Sequence, residues 1–267
     1  MSRRRHRRKG RIRMKREEVF RYAGPSSPVL TISGVTVAGP HERLILFVAA
    51  EGGPSFALGL PTFLGANAGI GSQRLWFSGN YSGAQAFAWD PIGPGTGDIA
   101  LNLGNPVRGC LVLLTRWTGL RIEGPDPLYP GDGYGLGGET AGTGTEVDLN
   151  PLQPSVYDRG FFWGALLTEG DPAQAPGTWL DQLSNGVRFG VDVGGFPMTV
   201  SETYRTFEDG KKIRSMRKTQ IGSSLWQGNF IEIPLATKPS EVRAFGEFTR
   251  SEVFARTGVT LPEGPRP

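Results

Sequence analysis

The sequence predicts an all-β protein built as an antiparallel two-sheet β-sandwich. Gly (40) and Pro (21) account for 61 of the 267 residues, which is typical of many short strands joined by turns. Short apolar or alternating runs follow one another from Val29 onward, with turn residues between them. No helical periodicity separates these runs, and parallel strands would need long crossovers, so we expect antiparallel pairing.

The expected strands fall into two series. The first comprises residues 29–32, 35–37, 43–50, 73–78, 84–90, 98–103 and 107–117, and the second comprises 146–149, 161–168, 186–193, 198–207, 211–218 and 227–233. Residues 43–50 (RLILFVAA) are almost continuously apolar, which is typical of a strand covered on both faces. A Gly- and Pro-dense loop over residues 125–145 is expected to join the two series.

The charged residues are distributed unevenly, with a strongly basic N-terminus and a net negative charge on the rest of the chain. The first 16 residues contain eight arginines, two lysines and no acid. The whole chain has 29 basic and 25 acidic residues, so the other 251 residues carry 19 basic and 25 acidic groups, a net charge of −6. We expect a basic N-terminal arm and linker over residues 1–28, a β-sandwich domain over 29–234, and a C-terminal docking extension over 235–267.

The basic arm is the principal candidate binding element. Its cations are Arg3, Arg4, Arg5, Arg7, Arg8, Lys9, Arg11, Arg13, Lys15 and Arg16. Such a block of like charge cannot fold alone and is typical of a segment that meets a polyanion. Nucleic acid and an acidic protein surface both fit, because guanidinium groups bind phosphate and carboxylate oxygens equally well. A solvated tail without a specific partner is the third interpretation.

Two short transitions flank the domain. Residues 17–21 could form a short helix after the arm, and GPSSP over 24–28 is typical of a linker. In the C-terminal extension, a capping-box pattern over residues 249–252 and a glycine at Gly258 predict one short helix over 250–257. Phe245, Phe248 and Phe254 make this extension too apolar for a free tail, so we expect them to dock on this domain or on a neighbouring subunit.

Other chemistry has weak support. Residues 133–138 satisfy GxGxxG, but no helix is predicted after them, as a dinucleotide site requires. Carboxylates near the central loop lack the spacing of a calcium loop, and one cysteine with two histidines leaves few metal ligands or catalytic bases. We therefore expect no cofactor, no metal and no enzymatic activity. The longest apolar runs are too short to span a membrane, so no membrane association is expected.

The order of the strands resembles the jelly-roll or concanavalin-like β-sandwich modules of tailed-bacteriophage structural proteins. The resemblance covers residues 29–234 and includes a dense apolar strand (44–50), a Trp-bearing strand (74–76), a strand ending at a Pro turn (89–91) and a final strand (224–234). It implies a non-enzymatic virion protein, such as a head decoration, head-fibre or tail component. The partners expected are the major capsid protein or other virion proteins, copies of the same chain, and nucleic acid through the arm.

Two alternatives remain open at this point. In one, the jelly roll forms a viral coat and the arm binds the packaged genome. In the other, the chain is a carbohydrate-binding or adhesive module, which would require an exposed aromatic side chain such as Trp179.

Overall fold

The computed structural model describes residues 14–39, 42–51, 60–70, 75–76, 82–89, 94–118, 137–149, 160–169, 184–193, 196–207 and 216–234. These residues form strands and turns and contain no helix, which confirms the all-β class. The strands are β1 (Lys15–Ser26), β2 (Val29–Val37), β3 (Glu42–Glu51), β4 (Thr62–Phe63), β5 (Ala66–Asn67), β6 (Gly69–Ile70), β7 (Leu75–Trp76), β8 (Ser82–Ala88), β9 (Gly95–Asn102), β10 (Val107–Thr118), β11 (Gly137–Leu149), β12 (Gly160–Glu169), β13 (Ser184–Val193), β14 (Phe196–Phe207) and β15 (Met216–Pro234). All strand pairs are antiparallel, as predicted.

A six-stranded sheet lies at the centre of the molecule. Its order is β1-β10-β3-β8-β6, and β7 also pairs with β8. Strands β3 and β10 pair without interruption from Glu51 opposite Gly109 to Glu42 opposite Thr118. Residues 43–50 of β3 are all buried. Because side chains alternate between the two faces of a strand, this burial confirms that β3 is covered on both sides.

Each face of the central sheet packs against a different layer. On one face, Leu46 and Val112 belong to a core cluster that includes Ile32 of β2 and Leu101 of β9. These two strands pair with each other as a separate two-stranded sheet. The sequence predicted two sheets, whereas the described residues form three layers. The physical reason is that both faces of the central sheet are apolar, so each needs its own cover.

On the other face, the central sheet packs against a five-stranded sheet of order β11-β15-β12-β14-β13. Phe47 and Trp117 from the central sheet meet Trp163 and Phe161 of β12, with ring centroids 6.3 and 4.7 Å apart respectively. The indole N–H of Trp117 donates to Thr115 Oγ1 at 2.9 Å, so its polar atom is satisfied inside the core. Two antiparallel sheets sharing an apolar interface are compatible with a β-sandwich.

The chain enters the central sheet earlier than the sequence suggested. Residues 17–21 and most of the expected linker over 24–28 belong to β1, which pairs with β10. The helical transition over 17–21 is therefore wrong. Two register shifts, between Glu18 and Phe20 and between Gly24 and Ser26, interrupt the pairing of β1 with β10. They let Phe20 and Tyr22 pack against the first core cluster, and this burial outweighs the turn-forming character of the segment.

The expected central loop is also shorter than predicted. Strand β11 begins at Gly137, inside the region expected to be a loop up to residue 145. Pairing with β15 supplies backbone partners that compensate for the low strand propensity of glycine. The GxGxxG pattern therefore runs into a strand rather than a helix, against a dinucleotide site. The expected helix over 250–257, the C-terminal extension and residues 1–13 lie outside the described residues.

Candidate interaction site at the base of the basic arm

Of the predicted arm cations, the structure describes Lys15 and Arg16. Lys15 and Arg16 lie at the start of β1, opposite Thr118 and Trp117 of β10. The other predicted arm cations lie outside the described residues, namely Arg3, Arg4, Arg5, Arg7, Arg8, Lys9, Arg11 and Arg13. The predicted docking residues Phe245, Phe248 and Phe254, and Trp179, lie outside them as well. The structure thus shows how Lys15 and Arg16 join the central sheet.

Arg16 points inward and pairs with Glu202 of β14. Its Nε donates to Glu202 Oε2 at 2.9 Å, and its terminal nitrogen NH2 lies 2.6 Å from the same oxygen. The Glu202 side chain is fully buried, whereas that of Arg16 is 15% exposed. The ion pair therefore bridges the edge of the central sheet and the interior face of the five-stranded sheet.

The rest of the Glu202 carboxylate is also hydrogen-bonded. The Trp163 indole N–H donates to Oε1 at 2.8 Å, and the backbone N–H of Val187 donates to Oε2 at 3.1 Å. Val187 lies in an irregularity of β13 between Asn185 and Arg188. Gly186 lies in the same irregularity, and a Cβ atom there would come within 2.1 Å of Glu202 Oε2. The bulge and the missing side chain together make room for the carboxylate.

This arrangement gives Arg16 a structural role. A charged group inside a protein is tolerated when it is paired and hydrogen-bonded, and removing one member of a buried pair leaves the other charge uncompensated. Arg16 therefore fixes the position where the arm leaves the domain. An external partner would therefore meet the other arm cations, namely those of residues 1–13 and Lys15. Lys15 is exposed.

A second group of charges lies on the opposite face of β1. Arg116 of β10 pairs with Glu17 at 2.8 Å and lies 4.0 Å from Glu42. It also donates to the backbone oxygen of Thr36 at 2.6 Å. The hydrogen bond from Arg116 lowers the pKa of Glu17. These contacts join β1, β2, β3 and β10 beside the point where the arm begins.

Further along β1, Glu18 and Arg21 form a two-pronged ion pair with both distances at 2.8 Å. The Arg21 guanidinium also lies 5.4 Å from the ring centroid of Phe189 in β13, within the range of a cation–π contact. The hydrogen bond to Glu18 raises the pKa of Arg21. The Arg21–Phe189 contact therefore links β1 to β13, and the Arg16–Glu202 pair links β1 to β14.

Catalytic and metal-binding groups are sparse in the described part of the chain. Cys110 is buried, and burial raises the pKa of its thiol to about 12. Among the described residues, no group of three or more His, Cys, Asp or Glu side chains is placed to hold a metal ion. The same residues include no helix long and apolar enough to cross a membrane.

The sequence analysis missed Glu202 and Gly186. One signal was present: Glu202 lies two residues from both Val200 and Tyr204 on a predicted strand, so it shares their apolar face. An acid at such a position requires a buried partner. Its partner lies 186 residues away, so local patterns could not identify Arg16.

Comparison with models of known protein families gave no match, and comparison with curated proteins gave none either.

Proposed function

We propose that this protein is a non-enzymatic structural subunit of a virus particle, a head decoration or capsid-associated protein of a tailed phage. In this proposal a jelly-roll β-sandwich forms the body. The basic arm attaches it to an anionic surface of the particle, and the C-terminal extension docks on protein. The resemblance of the strand order to phage modules is the basis for the virion assignment.

The observation that carries the attachment role is the way the arm joins the domain. The arm continues directly into β1, which pairs with β10 over residues 15–26 and 107–118. Arg16 is held in the interior by Glu202. A load applied to the arm would therefore be resisted by a hydrogen-bonded ladder and a buried ion pair. These are the features expected of a tether, and a solvated tail would not need them.

The charge distribution supports the same role. Eight cations lie within residues 1–13, whereas the chain after residue 16 carries a net charge of −6. Attraction to a polyanion then acts through the arm, while the body repels the same partner. Binding should be multivalent and steeply dependent on salt, because each neutralised phosphate releases counterions.

Removal of residues 2–13 tests this attachment without disturbing Arg16. A full-length variant with glutamine at the eight basic positions is the matched control, since it keeps the length of the arm. We expect the native chain to bind a labelled 20-base-pair DNA duplex with a salt slope of up to about −7, so that affinity falls roughly 10⁴-fold between 50 and 200 mM salt. Both variants should lose this binding. Unchanged binding by the variants would refute the arm as the attachment element.

Two further measurements address the particle. Mass spectrometry of purified virus particles from cells that express this chain should find it in many copies per particle, and its absence would refute the virion assignment.

Electron microscopy of the chain expressed alone distinguishes the two viral roles. A decoration subunit should form no closed shells, whereas a coat subunit whose arm binds the genome should form shells that contain nucleic acid.

A further inference from the structure

The β4–β5 hairpin is attached to the rest of the domain through side chains. β4 and β5 pair with each other as a separate two-stranded sheet. At the base of the hairpin, the Ala68 N–H donates to the Pro61 carbonyl oxygen at 2.9 Å. Among the described residues, no backbone hydrogen bond joins 61–68 to another strand. The chain then enters β6, which pairs with β8. Rotation of the hairpin about its junction with β6 would therefore break no strand pairing in this part of the structure.

The inner side of the hairpin packs on the first core cluster. Phe63 is 1% exposed and lies edge-on to Trp89, with ring centroids 6.5 Å apart. The Trp89 indole N–H is buried, and it has no hydrogen-bond partner among the described residues. Burial of a phenyl ring stabilises the closed hairpin, whereas burial of an unpaired donor is unfavourable by a similar amount. The closed position is thus stabilised less than the burial of Phe63 alone indicates.

The turn at the tip of the hairpin is strained. Leu64 and Gly65 have φ angles of 49° and 78°, and a left-handed conformation is unfavourable for leucine. The Leu64 side chain lies over β9 at two glycines. A Cβ atom at Gly95 would lie 2.6 Å from Leu64 Cδ1, and one at Gly97 would lie 3.0 Å from Cδ2. Because Leu64 remains 42% exposed, this contact holds the tip of the hairpin with a partly buried side chain.

We propose that residues 61–68 form a flap that opens as a unit while the rest of the domain stays folded. Backbone strain and unpaired buried groups are typical of segments that switch between conformations, and both occur here within one small unit. In the open state, Leu64 leaves β9, and Phe63 and Trp89 become accessible to water. Opening uncovers an apolar surface that carries one free hydrogen-bond donor. This device depends neither on the basic arm nor on the virion assignment.

Exchange of the indole N–H groups in the full-length native chain tests the flap by NMR. Trp89 and Trp117 are both almost fully buried, but Trp117 lies between the two large sheets and donates to Thr115. The Trp89 N–H should exchange at least about 100-fold faster than that of Trp117, because local opening costs less than global unfolding. Dilute urea should hardly change the rate at Trp89 but should raise the rate at Trp117, which requires more surface to be exposed. Equal rates with equal urea dependence would overturn the proposal.

Thiol labelling provides a second test. Ala68 and Cys110 belong to the same core cluster and are at most 2% exposed, so Cys110 is an internal control in an A68C variant. Each rate with iodoacetamide at pH 8 is divided by the rate of the same thiol in the unfolded chain. The thiol introduced by A68C should then react at least about 100-fold faster than Cys110. Equal normalised rates would mean that the hairpin opens only when the whole domain unfolds.

The contact of Leu64 with β9 is tested by G95A in the A68C chain. The added Cβ displaces the Leu64 side chain, so the ratio of the two thiol rates should rise at least about 5-fold. G39A is the matched control, because a Cβ there meets nothing within 4 Å, and it should leave the ratio unchanged. If G95A raised both rates by the same factor, or changed neither, the hairpin would not move as a separate unit and the proposal would be wrong.

Discussion

Replacement of Arg16 by methionine is the sharpest test of how the arm is fixed to the domain. The substitution keeps the length and apolar stem of the side chain but removes the charge that faces Glu202. The Glu202 side chain is fully buried and would keep the N–H groups of Trp163 and Val187 as partners. Loss of one member of a buried pair costs about 3–5 kcal/mol, and the two remaining donors place the expected loss near the lower value, about 3 kcal/mol. The exposed neighbour Lys15 supplies the control, since K15M should change stability by less than about 0.5 kcal/mol.

Urea denaturation followed by circular dichroism measures this loss, and thermal unfolding should show a decrease of roughly 6–12 °C in Tm. Glu202→Gln should cost less than Arg16→Met, because the Arg16 side chain is partly exposed and lies 4.0 Å from Glu18. The double variant should be more stable than R16M alone, since it contains no unpaired buried carboxylate. If R16M and K15M proved equally stable, the ion pair would not fix the arm, and the reasoning would be refuted.

Three other perturbations probe the same region and the core. Gly186→Ala should destabilise the fold by about 1–3 kcal/mol in urea denaturation, because its Cβ would lie 2.1 Å from Glu202 Oε2. Gly39→Ala meets nothing within 4 Å and should be nearly neutral, so equal effects at the two sites would contradict the steric argument. The lowered pKa of Glu17 contributes stability that is present above the unfolded value near 4.5 and is lost as pH falls through the lower folded value. Stability of the native chain and E17Q should therefore converge in acid, and a constant difference from pH 7 to pH 3 would count against this. Cys110, with a thiol pKa of about 12, should react with a thiol reagent at pH 8 only after unfolding, and fast labelling of the folded protein would show that it is accessible.

Many of the strands could be predicted from local patterns. The runs over 107–117 and 161–168 match β10 and β12 within one or two residues at each end. Residues 43–50 indicated burial on both faces, because a strand with one solvated face alternates between apolar and polar residues. The third layer was already implied there, since a sheet covered on both faces needs two partners. The sequence analysis expected two short strands, 29–32 and 35–37, within one of two sheets, and so missed that they form the single strand β2, which pairs separately with β9.

Glycine-rich and charged segments were harder to interpret. The residues over 137–145 have low strand propensity, and β11 forms there because β15 pairs with it. Residues 17–21 contain charges without strand alternation, yet they join β10 through a bulge. In both cases a distant strand supplies the hydrogen bonds, and tertiary pairing overrides local propensity.

Local composition and periodicity were sufficient to define the all-β class, the antiparallel pairing and the separation of a basic arm from an acidic body. They suffice because strand period, turn chemistry and charge are properties of neighbouring residues. The partner of Arg16 and the bulge that admits Glu202 depended on the tertiary structure. Each of them joins residues or strands far apart in the chain, and such contacts arise when packed sheets bring together groups that no local pattern relates.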